Sequence, residues 1–288
     1  MRILILVTSR LGRYAIPFLA TILFACQSTP PVAYIEQIVV EGYLFANHHV
    51  DSIVVARSLP VNQLYVADSA GISDAQVSIS VDDVAYPLFA SSQTPGSYYL
   101  MDSSFIVRSG KTYLLTVQYK DNTITSQTTV PDSIKITQQL PDTIQYPQDT
   151  INVLNYSAPF VTWTGVNSIS YAASITCTDT LWYDSLHNIH NRRVWHLGDG
   201  SGGTQYNDIT RWSAFLPVSS VPVPWTIYKW YGKQKITAYA LDKNFNDWLK
   251  MTELNGGTFT QDLNHINGGV GVFASAGIDT TTTFLKMP

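Results

Sequence analysis

Along Asp74–Asp83 the apolar residues occupy every second position: Val77, Ile79 and Val81 share one side and polar residues take the other. Period-two alternation predicts a half-buried strand. The same signal recurs in Glu36–Phe45, His49–Pro60, Gly96–Asp102 and Lys111–Asp132. The last reads as a hairpin, with Tyr113, Leu115, Val117 and Tyr119 on one face and "KDN" at the turn. No long helical period interrupts this region. Short strands punctuated by turn residues predict a β-sandwich.

Prolines 131, 141 and 147 then change the pattern. A proline removes a ladder donor, so this stretch predicts a boundary with short edge strands rather than central ones. The chain accordingly divides into a β-sandwich over 36–135 and a second module over 136–288. In the second, Val161 and Trp163 alternate, "SISYAASITCTD" continues the pattern, and Ile236, Ala238 and Ala240 mark a further strand. A core Trp followed by Tyr-rich strands is similar to a fibronectin type III-like sandwich. Residues 184–210 are polar and glycine-rich and read as an insertion. At 242–252 the period changes: Leu241, Phe245, Trp248, Leu249 and Thr252 share a helical face, and Asp242 is placed to cap it. This predicts one short amphipathic helix in a mainly all-β chain.

Near the C-terminus, "HINGGVGVFA" carries glycines 268, 269 and 271, and Gly277 follows. The spacing is not that of a dinucleotide fingerprint, which needs G-x-G-x-x-G between a strand and a helix. Nor does a Gly-Lys-Ser/Thr follow, as a phosphate-binding P-loop requires. The stretch predicts a turn feeding a last strand at Val270–Ala274, its glycines serving tight backbone geometry or close packing.

Composition supports the β reading. Charged residues are only 13% of the chain against 45% apolar, and 17 Tyr and 7 Trp favour pleated surfaces. The net charge of −4 and the absence of a basic run argue against a nucleic-acid partner.

The N-terminus changes the picture more. Arg2, Arg10 and Arg13 flank the apolar stretch Tyr14–Ala25, which is too short for a transmembrane helix. It ends in "LFAC". Such a layout is a secretory signal of the lipoprotein kind over residues 1–25, with cleavage before Cys26 and a lipid on that cysteine. Phe24 is bulkier than the usual occupant. Removal of those three arginines takes the net charge from −4 to −7. Residues 26–35 read as a tether. Gln27, where an Asp favours the inner membrane, points to the outer membrane. Cys177 is then the one remaining thiol, in a strand, either a small buried hydrophobe or a reactive group.

Candidate chemistry is sparse. Asp199, Asn207 and Asp208 offer oxygen ligands in a loop, without EF-hand spacing. His187, His190 and His196 cluster near Asp184 and Asp199, without compact zinc spacing. No G-x-S-x-G elbow occurs, and Glu41 and Glu253 look peripheral. No catalytic residue, metal ligand or cofactor site is assigned. The stronger lead is aromatic: Trp182, Trp195, Trp212, Trp225 and Trp230 crowd one third of the chain. Any that reach the surface form a partner or ligand contact.

Cys26, "IVVEGYLF" at Ile38–Phe45, "GKTYLLTV" at Gly110–Val117 with "TTVPD" after it, "VTWTG" at Val161–Gly165 and "LNHINGGVGVFASAG" at Leu263–Gly277 together resemble a lipoprotein family of the Bacteroidota, domain of unknown function 4249. Such proteins tend to end in N-I-x-G-G-x-G-x-F; here His265 stands between Asn264 and Ile266 and shifts the pattern by one. The resemblance implies a location rather than a chemistry. It points to a non-catalytic, lipid-anchored outer-membrane protein, an accessory subunit beside a TonB-dependent transporter. Two other readings stay open: a glycan- or peptide-binding surface lipoprotein, and a hydrolase whose site the sequence does not reveal.

Overall fold

A computed structural model describes residues 34–60, 63, 64, 66–149, 152–164, 168, 170–178, 209–213, 218–254 and 259–288. For 67, 68, 209–213, 253 and 254 only the backbone is described. Residues 36–288 form one compact unit.

The first strands in chain order are β1 Ile38–Phe45, β2 Ile53–Arg57, β3 Gln76–Val81, β4 Val84–Ala90, β5 Ser97–Leu100, β6 Thr112–Tyr119 and β7 Asn122–Thr129. Then come β8 Ile136–Gln138, β9 Thr143–Gln145, β10 Phe160–Trp163, β11 Ser170–Cys177, β12 Ile209–Ser213, β13 Ser220–Pro222, β14 Gly232–Leu241 and β15 Val270–Lys286. Twelve of these form one sheet, ordered β12-β11-β14-β15-β1-β2-β5-β4-β3-β6-β7, with β9 added to β15. The other three form a small sheet, β13-β10-β8. The protein is mainly β, in two sheets.

The alternation read from sequence sets which side is buried. Val77, Ile79, Val81, Tyr113, Leu115, Val117 and Tyr119 all face one core. The β3–β4 hairpin closes through Asp82 and Asp83, both at positive φ. Two central residues of this kind match the twist of the strands they join. Lys120 and Asp121 close β6 to β7, with Lys120 at φ 53.

Apolar packing separates into three clusters. One gathers the strands up to Val130 together with Ile266 and Phe273. A second begins at Ile134 and holds Trp163, Tyr171, Tyr228 and Ile236. A third packs the helix α1 Lys243–Leu249 on β1, β14 and β15. The proline-spaced stretch does give short strands at edges: β8 pairs only with β10, and β9 only with β15.

The last strand departs from expectation in length. β15 is 17 residues long, not five. Its first part pairs parallel to β1, Val39↔Val270 through Phe45↔Ala276, and its remainder pairs antiparallel to β14. One strand therefore serves both large clusters. Two glycines make this passage possible. A Cβ on Gly271 (φ +123) would stand 2.0 Å from the Val40 carbonyl oxygen, and one on Gly277 would stand 2.0 Å from that of Asp132. The glycine motif is a backbone-contact device, not a phosphate loop.

Candidate functional site

Helix α1 is where buried polar chemistry concentrates. Leu241, Phe245 and Leu249 are buried as the helical period predicts, whereas Thr252 is exposed in the π-turn Lys250–Leu254 that continues the helix. Asn244, Asn246 and Asp247 are also buried, so the helix is enclosed on more than one face. Each of these polar groups is answered. Asp242 caps the helix by accepting from the Phe245 N–H at 2.8 Å. Its other oxygen accepts from the Thr128 hydroxyl, which lies 2.6 Å from the Ser275 hydroxyl. The Asn244 amide donates to the Gln127 carbonyl at 2.7 Å and the Phe273 carbonyl at 2.8 Å. Ser170 donates to Asn246 at 2.7 Å. Strands β7, β11 and β15 are thus tied to one helix by side chains.

Two carboxylates here are shifted in opposite directions. Burial pushes the Asp242 carboxyl up, and the Thr128 hydroxyl and the helix N–H bonds offset that only partly. Burial also opposes ionisation of Asp247, but Lys243 and His265 outweigh it and hold that carboxyl below its ordinary value. His265 Nε2 lies 2.8 Å from Asp247, and Lys250 lies 3.8 Å away. A cavity of about 390 Å³ opens beside Asp242, lined by Gln127, Thr129, Pro131, Ser168 and Lys243 among others.

The arrangement anchors the helix to the sheet: one Asp242 oxygen caps it and the other holds the Thr128 hydroxyl. The His265 ring meets Asp247 and, among the described residues, no hydroxyl or thiol. Among the described residues no group of three His, Cys, Asp or Glu side chains is placed to hold a metal ion. Cys177 is buried, with its thiol directed to the Tyr231 carbonyl at 3.5 Å.

The aromatic candidates fall unevenly. Cys26, Trp182 and Trp195 lie outside the described residues, as do 184–208 with their histidines and the Asp199–Asp208 loop. Trp212 sits on β12 opposite Ala173, described by its backbone alone. Trp225 is half-buried, its indole N–H donating to the Ser157 carbonyl at 3.2 Å and its ring against Tyr146 and Tyr228. Trp230 is half-buried too, and its carbonyl accepts from the Gln234 amide.

Around Trp225 the structure adds residues that the sequence reading passed over. The turn Val153–Asn155 touches the turn Trp225–Ile227. Phe160 pairs with Pro222. Leu154, Tyr156 and Phe160 are 83%, 43% and 50% exposed. They lie on elements next to Trp225 and Ile227, which are partly buried against the second core. The run "NVLNYSAPF" carried the signal, as apolar residues without a strand or helix period. Among the described residues no helix is long and apolar enough to cross a membrane.

The family model of Domain of unknown function (DUF4249) matches residues 29–282. The chain belongs to this family. No curated protein matches the DUF4249 chain. Two solved structures are similar to it only distantly. A two-domain fibronectin type III segment from chicken tenascin is 11% identical, with 72% of this chain and 91% of that one covered and a TM-score of 0.17. A bacterial ice-binding adhesin is 12% identical, with 90% and 67% covered and a TM-score of 0.19. Neither superposition is close enough to assign the fold.

Proposed function

We propose that this DUF4249 chain is a lipid-anchored envelope protein that works by binding, as an accessory subunit of a TonB-dependent outer-membrane transport system. The observation that carries the reading is the "LFAC" address ending at Cys26, set just before a compact β unit that begins at Glu36. A lipid on Cys26 holds the protein at a membrane surface, with residues 26–35 as the tether. The exposed apolar group of Leu154, Tyr156, Phe160 and Trp225 is the proposed contact with the transporter. Apolar side chains clustered on a surface favour burial against a partner.

The test is purification of the natively expressed, C-terminally tagged protein from outer membranes in a gentle detergent, followed by mass spectrometry. The expected result is a TonB-dependent transporter in stoichiometric amount, with recovery cut at least tenfold by the Leu154→Asp, Phe160→Asp double variant. Purification with no membrane protein would reject the assignment.

A further inference from the structure

The outer face of strands β4, β3 and β6 carries an open cavity of about 560 Å³. Its floor is set by register. Ser78 pairs with Pro87 on one side and Thr116 on the other, and Thr116 pairs with Thr125. In the next row Gln76 pairs with Gln118, and Gln118 with Thr123. Val77 pairs with Leu88, which brings Gln76 alongside Phe89, and Phe89 pairs directly with Tyr99. Gln76, Ser78, Pro87, Phe89, Thr116 and Gln118 line the cavity, and no acidic or basic side chain does.

Three features set this face apart from an ordinary solvated one. Phe89 and Tyr99 are 44% and 45% exposed and are cross-strand neighbours on one face, Phe89 lining the cavity and Tyr99 beside it. The amides of Gln76 and Gln118 and the hydroxyls of Ser78 and Thr116 have no hydrogen-bond partner among the described residues. Charges lie at the two ends of the face: Arg108 and Lys111 bind Asp82 at one, and Asp74, Lys120 and Asp121 follow the Gln76–Gln118 row at the other.

We propose that this face binds a neutral glycan, with Phe89 and Tyr99 as a stacking platform and Gln76, Ser78, Thr116 and Gln118 as hydrogen-bonding groups. A pyranose offers C–H surface to an aromatic ring and hydroxyls to amides, and it brings no charge. An anionic polymer would find no counter-charge among the residues that line the cavity. An extended peptide adding to a sheet needs a free strand edge. β3, β4 and β6, which line the cavity, are each paired on both sides, and the edge strand β7 lines none of it and is bridged at Thr125 to Asn267. The volume lies within the range of ligand sites that hold a few sugar units. The proposal does not depend on the transporter assignment, because these residues stand on strands that pack on the first apolar cluster, whereas Trp225 packs against the second.

The test is native affinity electrophoresis of the full chain in non-ionic detergent, through gels containing laminarin, dextran or yeast mannan, with polygalacturonate as the charged counterpart. At least one neutral polysaccharide is expected to retard the protein. Phe89→Ala and Gln118→Ala are each expected to weaken that retention at least tenfold, at an unchanged melting temperature. No retardation by any of the three neutral polymers overturns the proposal. So does equal retardation by polygalacturonate, or a Phe89→Ala protein that migrates as the parent does.

Discussion

Gly271→Ala is expected to lower the stability of the protein by about 3 kcal/mol or more, the sum of a disallowed backbone angle and a collision that cannot be relieved locally. Gly271 sits at φ +123, where a side chain is strained, and its added Cβ would meet the Val40 carbonyl oxygen at 2.0 Å. That oxygen belongs to the strand with which Gly271 pairs in parallel. Relief therefore means separating β1 from β15. The loss should appear as a fall of about 6–12 °C in the melting temperature, at roughly 2–4 °C per kcal/mol for a unit of this size. Gly110→Ala is the informative control. Gly110 has φ +72 but nothing within 4 Å of its added Cβ. It should cost only about 1 kcal/mol, the backbone preference by itself. Equal melting temperatures for the two variants would contradict the close-approach account.

Asp242→Ala is expected to cost about 2–4 kcal/mol, because it removes the cap and strips partners from buried donors at once. The Phe245 N–H and the Thr128 hydroxyl would both lose their acceptor. Asp242→Asn should be far milder at neutral pH. Its carbonyl can keep the cap, and Thr128 can turn its hydroxyl proton to Ser275, 2.6 Å away.

Asp242 and Asp247 respond to pH in opposite directions. Asp242 has its folded pKa raised above the ordinary 3.8. The fold thus disfavours its ionised form, and stability rises as pH falls through the raised value towards 3.8. Asp247 runs the other way. Its folded pKa lies below 3.8, so its contribution is present above 3.8 and disappears as pH falls through the lowered value. Urea unfolding measured from pH 7 to pH 3 should show the gain in the parent protein and not in Asp242→Asn. A gain that persists in Asp242→Asn would place it on another group.

Strand identity and strand faces were legible because period-two alternation directly records which side meets the core. Tyr113, Leu115, Val117 and Tyr119 are the clearest case, and Asp242 as a cap is another. The length of β15 was not legible. "IDTTTTFLK" reads as a strand in its own right, and only the pairing with both β1 and β14 joins it to "VGVFA" as one element. Burial of Asn244, Asn246 and Asp247 was hidden for a related reason. Polar residues are read as a solvent face, yet here partners distant in sequence, Gln127, Ser170 and His265, accept or donate to each. The apolar group at Leu154, Tyr156 and Phe160 lacks any period, so no pattern marked it. The neutral face around Phe89 was invisible as well, since the strands that build it alternate in the ordinary way and only their register assembles the row.

The proposed function requires a lipid on Cys26 that fixes this DUF4249 protein to a membrane. Intact-mass and N-terminal peptide analysis of the natively expressed protein tests it most directly, alongside palmitate labelling of the parent and of Cys26→Ala. The account predicts a mature chain that starts at Cys26, carries acyl mass on that residue and fractionates with the outer membrane, with labelling abolished in Cys26→Ala. A mature chain that starts elsewhere, or an unmodified Cys26 in the soluble fraction, would contradict it.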